Sequence, residues 1–161
     1  TGHETATELD ADSALLAKIE SVRRKAGILM GMGDVSRLVV PKIGLLSAPC
    51  HGGNIASRYF VPQTCHKAHA VTGTVCVASA CAIPGTIAAQ LASLPPPPQG
   101  MVKIEHPSGT IAIDLDVELT AGRSIIRRAA LVRTARRVFE GQVCVPAGVW
   151  QPGTLRAAVV A

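Results

Sequence analysis

No Asp, Glu, Lys or Arg occurs in residues 68–102, and the stretch "AVTGTVCVASACAIPGTIAAQ" within them consists of small apolar and hydroxyl residues. An uncharged run of that length is a membrane span, a helix buried in a core, or the lining of a binding site. Its residues argue against the span. Gly73, Ser79, Pro84, Gly85, Gln90 and three threonines interrupt it, large aliphatics are few, and no aromatic belt or pair of charged flanks brackets it. A core helix over residues 71–82 accounts for the same residues, with apolar surroundings on all sides and Pro84 and Gly85 to end it. Its first turn reads Thr72-Gly73-Thr74. Free amides, two hydroxyls and a glycine that admits a ligand to the backbone suit a carboxylate or phosphate, although the same three residues also serve as a simple cap.

Composition limits what surrounds that helix. The chain has 161 residues, 48% of them hydrophobic and 17% charged, which is one domain's worth of globular sequence. Aromatics are only 2%, so aliphatic residues must fill the core and base-stacking surfaces are scarce. A nucleic-acid binder working through Arg127, Arg128, Arg133, Arg136 and Arg137 is therefore disfavoured, despite a net charge of +5 and a pI near 9.2. Residues 1–12 are polar and acidic and unlike a secretory signal, so a cytoplasmic protein is expected. The five cysteines form no CxxC pair, which indicates neither a zinc knuckle nor a redox pair, and reduced, mostly buried thiols are expected.

Around the helix the pattern alternates between classes. Leu15, Ile19, Val22 and Ala26 recur at helical spacing after Asp12, a good N-cap, and Lys18, Glu20, Arg23, Arg24 and Lys25 fall on what reads as the solvated face. "RLVVPKIGLLSAP" is β-rich, and Pro41 marks it as an edge strand, a bulge or two abutting strands. Lys42 beside it is either a side chain snorkelling at a sheet edge or part of a site. A turn at Gly52 and Gly53 follows, and the prolines of "SLPPPPQG" divide the domain into two halves. Residues 101–105 and 110–119 read as a hairpin across "HPSG", because Ile111, Ile113, Leu115, Val117 and Leu119 alternate with polar residues and alanine. "TAGRS" is a second turn, and two more strands are expected in residues 124–146, with Val138, Phe139 and residues 142–145 in the second.

The segments "VPKIGLLSAP", "HKAHAVTGT", "AIPGT", "HPSGT" and "RTARRVFEGQVCVP" occur in the order found in the 2-methylaconitate cis-trans isomerase (PrpF) family, which the chain thus resembles from residue 40 to 146. The resemblance implies an α+β fold of the diaminopimelate epimerase type: a curved, mostly antiparallel sheet wrapped round a central helix, twice over, with the active site between the two helix starts. Residues 1–161 look like the second of those domains. The half absent from this sequence would hold the proton-transferring lysine and an active-site cysteine, so no catalytic residue is expected here and the chain alone is expected to be inactive.

The implied activity is a shift or isomerisation of a C=C bond in a di- or tricarboxylic acid of the 2-methylaconitate, aconitate, methylitaconate or 4-oxalomesaconate type. It proceeds by proton transfer next to a carboxylate, with no metal or organic cofactor. The match puts Lys42 and His66 at substrate-contact positions, with His69 a competitor for His66, while the backbone of Thr72, Gly73 and Thr74 and the turn at Ser108 are added on physical grounds. Thr72 stands where epimerases of this fold place a second cysteine. Cys76, one turn further in, is expected in the core, and Arg133 and Arg136 either clamp a distal carboxylate or face solvent. The expected partners are the small carboxylate and the absent domain, with neither nucleic acid nor membrane among them. The competing reading is a stand-alone small-anion binding module without activity.

Overall fold

The computed structural model describes residues 2–94, 99–120 and 123–149. Thr5 opens α1 (Ala6–Ala11) with a capping box: its hydroxyl accepts the Glu8 N–H, and the Glu8 carboxylate accepts the Thr5 N–H. Asp12 then caps α2 (Ser13–Leu29) by accepting the Leu15 N–H at 2.9 Å, as its place before the apolar repeat predicts.

The buried stripe of α2 corrects the reading from spacing. It runs through Ile19, Arg23 and Gly27, while Val22 is 57% exposed. Residues 35–40 fold back over the helix and turn three carbonyls inward, and Arg23 meets them. Its Nη1 donates to Leu38 and Val40, its Nη2 to Val35 and Glu20, and its Nε to Glu20, so all five guanidinium N–H groups are used. Arg23, with Arg24 beside it, holds the Glu20 carboxyl down at about 2. Gly27 makes the loop's approach possible, since a Cβ there would lie 2.6 Å from a Val35 methyl.

Among the described residues five strands follow in a single sheet, ordered β1 (Ile43–Ser47), β2 (Ile55–Phe60), β3 (Gln99–His106), β4 (Gly109–Thr120) and β5 (Arg123–Leu131). β1 is an edge strand, as Pro41 suggested. All junctions are antiparallel except β2–β3, whose parallel pairing of Ile55 with Ile104 needs a crossover, and α3 (Val71–Cys81) and α4 (Ile87–Leu91) supply it. The sheet curls round α3, which packs on β3, β4 and β5. This is the α+β arrangement expected.

β2 was not legible as a strand because every one of its residues is buried, which erases the alternation a half-exposed strand would show. Phe60 packs with Leu9 and Ile19 of α1 and α2, whereas Ile55 packs with Val77, Ala78 and Cys81 of α3. By the two-residue period, Ala56, Arg58 and Phe60 share the α1–α2 side and Ile55, Ser57 and Tyr59 share the α3 side.

Three further expectations are corrected. α3 is not enclosed all round: Gly73, Thr74, Val77, Ala78 and Cys81 form its buried stripe, so Thr72 and Cys76, one turn apart, lie on its open side, and Cys76 is exposed. Cys50 and Cys144 are exposed as well, leaving Cys65 and Cys81 as the buried thiols. Residues 132–146 contain no strand; Val138 and Phe139 are 91% and 73% exposed, and a strand-like sequence that buries no face against a core is not stable as a strand. Among the described residues no helix is long and apolar enough to cross a membrane.

Candidate active site at the start of the central helix

Side chains cap α1, α2 and α4 through Thr5, Asp12 and Thr86. The cap position of α3 is Ala70, which has none to offer, so the positive end of this helix keeps its first amides for another acceptor. The residues that set this end in place come from β2 and from the loop before the helix.

His69 is 4% exposed and holds three groups together. One assignment satisfies every contact: the Thr74 hydroxyl donates to the Ala70 carbonyl at 2.9 Å, the His69 Nδ1–H is shared between Thr74 Oγ1 at 3.0 Å and the Ala70 carbonyl at 3.2 Å, and the Ser57 hydroxyl donates to His69 Nε2 at 3.0 Å. In this assignment the ring is neutral, the form that burial favours by lowering its pKa; the bond to the Ala70 carbonyl opposes that shift and the His106 and His66 charges add to it. Ser57 ties β2 to the first turn of α3 through this imidazole.

Tyr59, the single tyrosine of the chain, sits at the centre of the same cluster. Its ring packs on His69 with centroids 4.8 Å apart, and Lys42 Nζ stands 6.0 Å above its centroid. Gly73 is required here for the ring: a Cβ would fall 2.5 Å from Tyr59 Cε2. Burial, and then the charge of Cys76, raises the pKa of the phenol.

The six residues singled out from the sequence divide by placement. Thr72 and His66 are exposed, Lys42 is half-buried and Ser108 is exposed at the β3–β4 turn. Gly73 and Thr74 are buried, and the Thr74 N–H is already spent on the Ala70 carbonyl. The His66 N–H donates to the Tyr59 carbonyl at 2.7 Å and its Nδ1 accepts the Ala68 N–H at 3.0 Å, which leaves Nε2–H as the ring's donor. Ser108 spends its hydroxyl on the Lys67 carbonyl, fastening the β3–β4 turn to the loop that leads into α3. His106 accepts the Ser108 N–H, and burial, followed by the charges of Arg58 and His66, lowers its pKa. A cleft of about 380 Å³ opens alongside, between His69, His106, Lys103, Thr110 and Arg133. Arg136 is exposed and does not line it.

Sequence reasoning missed Ser57, Tyr59, Lys103 and His106. Tyr59 had one signal, its being the lone tyrosine in a chain so poor in aromatics; the others become neighbours of the site only through strand pairing.

A family model described as "PrpF protein" matches residues 1–146. The chain is 46% identical over 146 residues to YbhH of Escherichia coli (strain K12), whose name makes it an isomerase by inference and gives no substrate; the match covers 91% of this chain and 41% of that protein. It is 42% identical over 150 residues to the 4-oxalomesaconate tautomerase of Pseudomonas putida (strain KT2440), covering 93% of this chain and 40% of that one. The crystal structure of a methylitaconate-delta-isomerase shares the fold with a TM-score of 0.68 and 28% identity, over 83% of this chain and 40% of its own. The chain therefore spans about two fifths of the length of the curated relatives it matches.

Proposed function

The chain belongs to the PrpF family, and from that premise we propose that it is the carboxylate-holding domain of an isomerase that moves or isomerises a C=C bond in a di- or tricarboxylic acid. The observation that carries this reading is the uncapped start of α3, with the exposed Thr72 on it, Lys42 over Tyr59 on one side and the donor His66 nearby. Abstraction of a proton next to a carboxylate adds negative charge to a substrate that is already an anion. Fixed N–H groups and cations aimed at that charge lower the barrier without themselves moving a proton.

On this reading Thr72, Lys42 and His66 touch substrate carboxylates. Gly73 and Thr74 act by placement, the first by admitting the Tyr59 ring and the second by bonding His69. Ser108 contributes its turn rather than its committed hydroxyl. Arg133, on the cleft wall, is the better placed of the two arginines to hold a distal carboxylate. The group that carries the proton comes from the other part of a longer cytoplasmic protein, so residues 1–161 alone bind such acids weakly and do not turn them over, and no cofactor is needed.

Lys42→Ala, made in the full-length protein, tests the division of labour. KM should rise about 10-fold or more while kcat changes less, as expected when a contact made equally in ground and transition states is lost. Abolition of solvent deuterium exchange with binding intact would make Lys42 the base and overturn the reading. A small-anion binding module without activity is the competing assignment, and it predicts carboxylate binding in the full-length protein with no exchange at all.

A further inference from the structure

Away from the helix start, three potential metal donors from distant parts of the sequence converge where residues 2–4 lie against the β1–β2 connection. Cys50 Sγ is 3.2 Å from His3 Nδ1, and one donor atom each from His3, Cys50 and Glu105 lie within 4.8 Å of one another. We propose that His3, Cys50 and Glu105 form a binding site for a borderline divalent cation of the zinc type, independent of the carboxylate site.

The backbone around the donors is firmly held. His3 sits between two pinned carbonyls: Ser47 Oγ donates to Gly2 at 3.0 Å and Arg58 Nε to Glu4 at 2.7 Å. Glu105 is 3% exposed, and its carboxylate accepts three backbone N–H groups, from His51 and Gly53 on Oε1 and from Cys50 on Oε2. The Cys50 thiol hydrogen-bonds the same carboxylate, and a cation would replace that thiol proton. The bond to the Cys50 amide sets the position of the thiol. A ligating carboxylate fixed by outer hydrogen bonds, as Glu105 is, is a usual support of a protein metal site.

The Cys50–His3 distance and the chemistry of the donors suit such a cation. Zinc bonds of about 2.0–2.3 Å in a tetrahedron put neighbouring donors about 3.5 Å apart, close to the sulfur–nitrogen separation seen here. Thiolate, imidazole and carboxylate are all common zinc ligands, and binding would release the Cys50 proton to solvent. The fourth position is left to water or to His51, whose ring stands edge-on to His3 with centroids 6.5 Å apart. Ligands at positions 3, 50 and 105 match no linear motif, which is why the sequence indicated no metal.

The probe is Co²⁺, titrated into the metal-stripped full-length protein and followed by absorption, with Zn²⁺ in competition. One equivalent should produce a thiolate-to-cobalt charge-transfer band that Zn²⁺ abolishes. Cys50→Ser should remove the band, and His3→Ala should weaken Zn²⁺ binding by more than the roughly 10- to 100-fold that loss of an outer hydrogen bond costs. Cys76→Ser should leave both unchanged. Glu105→Gln is the weaker test because its carboxylate also orders the loop, so the exposed His3 decides if that variant does not fold. Absence of the band, or a band that survives Cys50→Ser, would overturn the proposal.

Discussion

α2 and α3 pack on opposite sides of β2, and each is tied in by a buried nitrogenous side chain, Arg23 within α2 and His69 in the loop before α3, yet they begin in opposite conditions. α2 begins on a capped amide, and its Arg23 spends every donor on protein acceptors. α3 begins uncapped on Ala70, and its His69 braces the first turn from behind without occupying the amides. A helix whose polar groups are all matched internally is scaffold. One that is rigidly held but left unmatched at its positive end is poised for an outside acceptor.

The sharpest break in that comparison is Arg23→Met. It keeps the apolar stem but strips partners from the carbonyls of Val35, Leu38 and Val40 and from Glu20. Removing one member of a buried charged network costs about 3–5 kcal/mol, and urea unfolding should read a loss of that size. A change below about 1 kcal/mol would mean that the loop over α2 is not held by the guanidinium.

The same residue shows where the sequence stopped being legible. Helical spacing placed α2 correctly, but a charged residue at position 23 reads as solvated unless one knows that residues 35–40 return over it carrying unpaired carbonyls. α3 was readable almost to the residue, at 71–82 against Val71–Cys81, because an uncharged run ended by Pro84 and Gly85 has few alternatives. The hairpin of β3 and β4 was equally plain, since one face meets the core and the other water. β2, buried on both faces, gave no period. Of the proposed site, the helix start is read from the chain and Lys42 and His66 from the family resemblance, whereas Ser57 and Tyr59, which hold the helix start in place, are joined to it by strand register alone.

Acid should separate the two sides in order. His69 has its pKa lowered by burial from an ordinary 6.5, so the unfolded chain binds the extra proton first. The stability that a neutral His69 provides is complete above 6.5 and drains away as pH falls below it. Glu20 is held at about 2 against an ordinary 4.5, so the α2 side begins to lose stability only below 4.5 and continues down to about 2. Unfolding free energy measured from pH 8 to 3 should show two downward steps. His69→Gln should flatten the upper one, to which His106 also contributes, and Glu20→Gln should reduce the lower, to which Glu105 and other hydrogen-bonded carboxylates also contribute. A first step that His69→Gln leaves untouched would deny His69 its part in bracing α3.

The smallest effect discriminates best between scaffold and site. A serine at position 70 would give α3 the cap it lacks, and a new cap is worth about 0.5–2 kcal/mol. Ala70→Ser should therefore stabilise the protein by about 1 kcal/mol while competing with a bound carboxylate for the same amides, so affinity for a tricarboxylate should fall as stability rises. On the other helix, Asp12→Ala removes the bond to the Leu15 amide and should cost about 1 kcal/mol with affinity unchanged. Paired thermal unfolding and ligand titration on the two variants read both quantities. Opposite signs for stability and affinity in Ala70→Ser are expected only if the amides of α3 receive the ligand; if affinity holds while stability rises, the open helix start is an unfilled cap and the carboxylate is held elsewhere on this domain.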